Sequence, residues 1–128
     1  MTEADFSYTG ERFADIQLLR YRLNGFEQLS LSQKQYIYCL AKATLYGRDI
    51  TFDQFGRYNL IIRKTLEAIV SDLTLDERDN GEFDKLIVYL KRVWFSSGIY
   101  HHYGCEKFKP EFSEPFFRNI LNKVDSRR

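Results

Sequence analysis

Apolar residues recur at intervals of three and four along most of the chain, the period of a helix that buries one face. Tyr36, Ile37, Leu40, Ala41, Thr44 and Leu45 follow this spacing behind Ser30-Leu31-Ser32-Gln33, a capping-box pattern, and Gly47 stands where the run would stop. A helix near 32–46 is predicted. A second starts near Tyr58, with Ile62, Leu66, Ile69, Val70 and Leu73 as its buried stripe and Arg63, Lys64 and Glu67 towards solvent. A third runs from about Glu82 to Ser96, capped by Asp79 or Asn80; its apolar face is Phe83, Leu86, Ile87, Leu90 and Trp94, with Lys85, Lys91 and Arg92 off that face. Ser113, with Glu114 and Pro115 in the first turn, opens a short last helix carrying Phe116, Phe117, Ile120, Leu121 and Val124.

Between these runs the helical period fails. Residues 13–23 alternate like a strand at their end, although Phe13, Ile16 and Leu19 also suit a helix; an extended segment closed by Asn24-Gly25 is expected. Residues 48–56 carry no period and end in a glycine, which predicts an irregular connection, and 75–81 read as a polar loop. Residues 97–105, with glycine near both ends, are too irregular for a helix. No repeat, biased tract or proline-rich linker interrupts the chain. The expectation is a mainly α fold over 1–128 as one domain without an internal boundary.

Composition narrows the class. At 128 residues, with 44% hydrophobic and 29% charged positions, the chain suits one folded domain rather than a disordered segment. Nineteen Lys and Arg against eighteen Asp and Glu leave a net charge of +1, so no global field favours nucleic acid or an anionic membrane. Cys39 and Cys105 are far apart, which suits a reducing compartment, and no run approaches a membrane span; a cytoplasmic chain is expected. The aromatic share, 16%, is high enough that some tyrosine hydroxyls must lie at a surface, cleft or interface.

Catalytic chemistry is sparse. Only two histidines occur, no His-Glu-x-x-His or His-x-x-Glu-His spacing exists, and His101-His102 with Cys105 offer at most a partial ligand set, so neither metal nor catalytic residues are assigned to this chain. No phosphate-binding glycine loop is present. Arg20, Arg22, Arg57, Arg63, Lys64, Lys91 and Arg92 read as solvated helix faces more readily than as a nucleic-acid groove.

Several motifs carry a family resemblance. Residues 13–21 (Phe-Ala-Asp-Ile-Gln-Leu-Leu-Arg-Tyr), Gly47-Arg48-Asp49-Ile50 with Asp53-Gln54, Tyr58-Asn59-Leu60 and Ile62-Arg63-Lys64-Thr65-Leu66-Glu67-Ala68 stand in the first half. Tyr89-Leu90-Lys91-Arg92-Val93-Trp94-Phe95-Ser96, Gly98-Ile99, His101-His102-Tyr103, Lys107-Phe108, Pro110 and Phe112-Ser113 follow in order. Together they resemble the N-terminal part of bacterial-type dipeptidyl peptidase III, the zinc peptidase family M49, over nearly the whole chain. The resemblance implies part of a larger two-lobed enzyme that releases dipeptides from the N-termini of short peptides. Its zinc would be held in the other lobe, by a part of the enzyme that this chain does not contain. The share implied here is scaffold and substrate cleft, with Gly98, Ile99, Tyr100, His101, His102 and Tyr103 as substrate-binding residues and the remainder of the peptidase as partner. Tyr100 stands where bacterial relatives often have a third histidine. A peptide cleft uses flat aromatic surfaces and a few hydrogen-bonding groups, and this stretch offers both. The alternative is a standalone helical module that binds peptides or a protein.

Overall fold

A computed structural model describes residues 6–126, with side-chain surroundings described up to Val124. The fold is mainly α, with one two-stranded sheet among the described residues. The chain packs as two compact units, 1–48 and 49–128.

The first unit begins with an antiparallel hairpin, β1 (Thr9–Phe13) and β2 (Ile16–Leu19), in which Arg12 faces Gln17 and Phe13 faces Ile16. The extended segment expected over 13–23 therefore lies earlier and folds back on itself. Its turn is at Ala14, which takes a left-handed φ of 49°, while Gly25 (φ 85°) opens a short 3-10 turn, Phe26–Gln28. A bulge separates Thr9 from Arg12, and the Gln17 amide fills it by donating to the Gly10 carbonyl at 3.0 Å and the Glu11 carbonyl at 3.3 Å. The helix α1 (Leu31–Tyr46) starts at the expected capping box: Ser30 Oγ accepts from the Gln33 amide and Gln33 Oε1 from the Ser30 amide. Yet α1 has no buried residue, so the stripe from Tyr36 to Leu45 that the spacing marks as a core face is not one within this unit.

The second unit is held by α3 (Asn59–Asp72), which packs on both α5 (Gly81–Ser96) and α6 (Glu114–Ser126). Leu66, Ile69 and Leu73 meet Phe83, Leu86, Leu90 and Val93, with Ile120, Val124 and Phe52 completing the core. Of the two candidate caps, Asn80 is the one that closes the start of α5, its Oδ1 accepting from the Phe83 amide at 2.9 Å. Ser113 precedes α6, and its amide donates to Glu82 Oε2 at 2.5 Å, tying the starts of α5 and α6 together.

Four local expectations change here. Residues 48–56 are not irregular: α2 (Arg48–Gln54) forms because Phe52 must reach the core, and tertiary contact overrides a locally weak helix signal. Residues 75–81 contain a one-turn helix, α4 (Leu75–Arg78), closed by a Thr74–Glu77 capping box, and Arg78 donates to the Leu73 and Val70 carbonyls at the end of α3. Arg63 is buried rather than solvent-facing, at 5% exposure. Trp94 is 46% exposed; Val93, three residues beyond Leu90, takes the core position, and the Trp94 indole donates outward to Glu67 at 2.8 Å. No helix among the described residues is long and apolar enough to cross a membrane.

Removing side chain from the α3–α5 seam should therefore cost far more than removing the larger ring beside it. Leu86→Ala or Leu90→Ala is expected to destabilise the fold by about 2–5 kcal/mol, and Trp94→Ala by about 1 kcal/mol. Urea denaturation of the three variants checks the order; a Trp94 variant as damaged as the leucine variants would refute this placement of the seam.

Candidate functional site

The stretch 98–103 leaves the end of α5 and folds into a small hairpin. Ser97 ends the helix in a left-handed conformation (φ 55°), and the Gly98 amide donates back to the Val93 carbonyl at 3.0 Å. The Ile99 carbonyl then accepts from the Phe108 amide at 2.8 Å, the Glu106 carbonyl accepts from the His101 amide at 2.8 Å, and Tyr100 bridges Lys107. A tight turn follows, with the Gly104 amide on the His101 carbonyl. The irregular sequence thus hides paired backbone, which supplies the hydrogen bonds that a non-helical segment must find.

The six residues named from the sequence divide by role in this geometry. Gly98 is buried and Ile99 packs on the core. Tyr100 and His101 are half-buried, His102 is exposed, and Tyr103 is 90% exposed. The His101, His102 and Tyr103 rings form a continuous pile: His101 stacks on His102 with centroids 4.4 Å apart, and His102 lies 4.2 Å from Tyr103 and edge-on to Phe95 at 4.9 Å. Lys107 sits over the Tyr100 ring at 5.7 Å and Arg92 over Phe108 at 5.3 Å. Such a surface offers flat apolar faces, imidazole nitrogens and cationic charge, a combination able to hold an extended peptide through its side chains and carbonyls. His101 and His102 stack face to face, and among the described residues no three His, Cys, Asp or Glu come together in a group that could hold an ion.

Beneath the hairpin lies a polar layer that the sequence reading missed. On α3 the buried stripe of Leu73, Ile69 and Leu66 continues backwards into Arg63 and Asn59, and on α5 the stripe of Phe83, Leu86, Leu90 and Val93 continues into Ser96. The helices run antiparallel, as the Glu67–Trp94 and Asn59–Ile99 bonds require, so these polar ends meet. Arg63 donates to Asp49 at 2.6 Å, lies 3.5 Å from Glu67, and covers the Phe52 ring at 4.6 Å. The signal was present: 59, 63, 66, 69 and 73 share one helical face, and a polar residue on such a face is either an error of register or a buried group with a partner.

A concavity of about 550 Å³ opens between α3, α5 and the start of α6. Ile62 and Leu66 lie beneath it, with Tyr89, Phe112 and Phe117 at its sides. Burial raises the Tyr89 phenol above the ordinary tyrosine value, which keeps it protonated. None of residues 98–103 lines this groove.

Compared with known proteins, the chain matches no family model and no curated protein.

The Arg63 hydrogen bond, seconded by that of Lys64 at 3.0 Å, holds the Asp49 carboxyl below the usual carboxylate range. Because the folded value is the lower one, the stability it contributes is present above about pH 4 and lost as pH falls through the lowered folded value. Asp49→Asn should flatten that acid limb and leave the shape of the neutral and alkaline profile unchanged, as read from urea midpoints across pH. An acid limb identical to wild type would show that the Asp49 pairing does not couple to folding.

Proposed function

We propose that this chain is the scaffold and substrate-cleft part of a zinc-dependent dipeptidyl peptidase that releases dipeptides from the N-termini of short peptides. On this reading the hairpin at 98–103 lines the cleft, the remainder of the peptidase supplies zinc and the water-activating carboxylate, and the enzyme works in the cytoplasm. One observation supports it: the motifs that resemble the family meet one another in space, and one of them holds the base of that hairpin. Asp49 meets Arg63, Glu67 meets Trp94, and Asn59 meets Gly98 and Ile99. Residues from five of the quoted stretches thus meet in pairs, and the Asn59 pair lies at the base of the hairpin that carries the exposed rings.

In this role the residues present bind and orient. The His101–His102–Tyr103 pile gives ring faces to peptide side chains, and Lys107 places positive charge beside Tyr100 where a carbonyl or carboxylate would lie. The groove beside Tyr89 is what favours a second reading, a module that binds an apolar partner segment.

The test is kinetic, in the enzyme containing this chain. Tyr100→Ala and Tyr103→Ala should each raise KM for dipeptide release by about 5- to 30-fold, the equivalent of 1–2 kcal/mol per aromatic, with melting temperature unchanged. The 128-residue chain alone should release no dipeptide. Dipeptide release by the isolated chain, or loop variants that melt early with normal kinetics, would overturn the assignment.

A further inference from the structure

We infer that Asn59 is the positioning residue of the hairpin that carries 98–103: its side-chain amide, gripped between two glycines, sets where that segment leaves α5. Asn59 is 1% exposed and opens α3, forty residues from the backbone it holds. Its Oδ1 accepts from the Ile99 amide at 3.2 Å. Since the Ile99 carbonyl in turn accepts from Phe108, this one bond fixes the first rung of the hairpin, and the ring pile is built on that rung.

The glycines show what the amide demands. A Cβ on Gly98 would lie 2.6 Å from Asn59 Cγ, and one on Gly56 would lie 3.0 Å from Asn59 Nδ2. Neither glycine has a positive φ; the left-handed residue at the α5 terminus is Ser97. Glycine at 56 and 98 therefore answers a need for space around the amide and not for an unusual backbone. Gly104, within the hairpin, has nothing near its Cβ position and answers neither. The amide is not there for helix stability: Asn59 Nδ2 is buried without a hydrogen-bond partner, and a buried orphan donor is costly. A leucine would carry no orphan donor but would leave the Ile99 amide without an acceptor. What asparagine supplies, and leucine cannot, is the acceptor in a flat group thin enough to pass between two backbones.

The inference rests on the proposed cleft only for its functional consequence, and the experiment separates the two. Amide hydrogen exchange is followed in the full chain for wild type, Asn59→Leu and Asn59→Asp. Asn59→Leu should speed exchange at Ile99, His101 and Phe108 about tenfold or more relative to Leu86, Leu90 and Val93, because local opening is uncoupled from the core. Asn59→Asp keeps an acceptor and should restore protection at Ile99. Gly98→Ala loosens the same amides from the other side, and it carries the test alone if Asn59→Leu does not fold. Hairpin and core amides moving in proportion, or Ile99 protection unchanged, would overturn the positioning role. In the dipeptide-releasing enzyme, Asn59→Leu should raise KM with little change in kcat. Loosened exchange with an unchanged KM would leave Asn59 as the positioning residue and remove the cleft assignment instead.

Discussion

Antiparallel contact between α3 and α5 is the constraint on which the second unit depends. Its middle is apolar, where Leu66, Ile69, Leu86, Leu90 and Val93 are almost wholly buried, each contributing roughly 1.5–3 kcal/mol relative to exposure. Its open end is polar, and a polar end cannot be left to pack by shape alone. Arg63 and Asn59 there find partners of specific geometry: Asp49 on α2 and Glu67 one turn along α3 for Arg63, and the backbone just past α5 for Asn59. The apolar middle supplies stability and the polar end supplies direction, because hydrogen bonds and ion pairs have geometry that hydrophobic burial lacks.

That division accounts for a non-helical surface segment held in one conformation. Loops have few apolar contacts to anchor them, and here the anchoring is displaced to the base: Gly98 pressed on an amide, Ile99 on the core, and a paired return strand at 106–108. The exposed rings above are then free of packing duty. His102 lies among His101, Tyr103 and Phe95, and Tyr103, the outermost ring, is the most open to a ligand. A surface preorganised in this way can bind a ligand without also having to be ordered by it. The Arg63 guanidinium on α3 serves the same end, since Asp49 and the Phe52 ring of α2 fix it.

Where the sequence was legible, the signal was local and chemical. The Ser30–Gln33 capping box could be named, and the α5 cap narrowed to Asp79 or Asn80, because each is decided within four residues, and the helical period located α1, α3, α5 and α6 to within a residue or two. It failed where distant groups chose the outcome. Nothing in residues 48–56 announces α2, since Phe52 is helical in order to reach a core assembled mostly by later residues. Trp94 looks like the stronger core candidate by size, but position on the helix decides, and Val93 is the residue that faces α3. Size and hydrophobicity rank residues; only the partner helix ranks faces.

The candidate site shows the same boundary. By itself, the sequence determined that the chain is mainly helical, that 97–105 is not helix, and that aromatic and imidazole side chains are concentrated there, because composition and period are properties of neighbouring residues. It also carried the resemblance that names those side chains as substrate contacts. Tertiary structure alone decided that the segment is a paired hairpin, that Gly98 is required for space, and that Asn59 and Arg63 are inside. A side chain at 59 and a glycine at 98 acquire meaning only when two helices bring them together, and the bond between them is invisible to any pattern shorter than the forty residues that separate its ends.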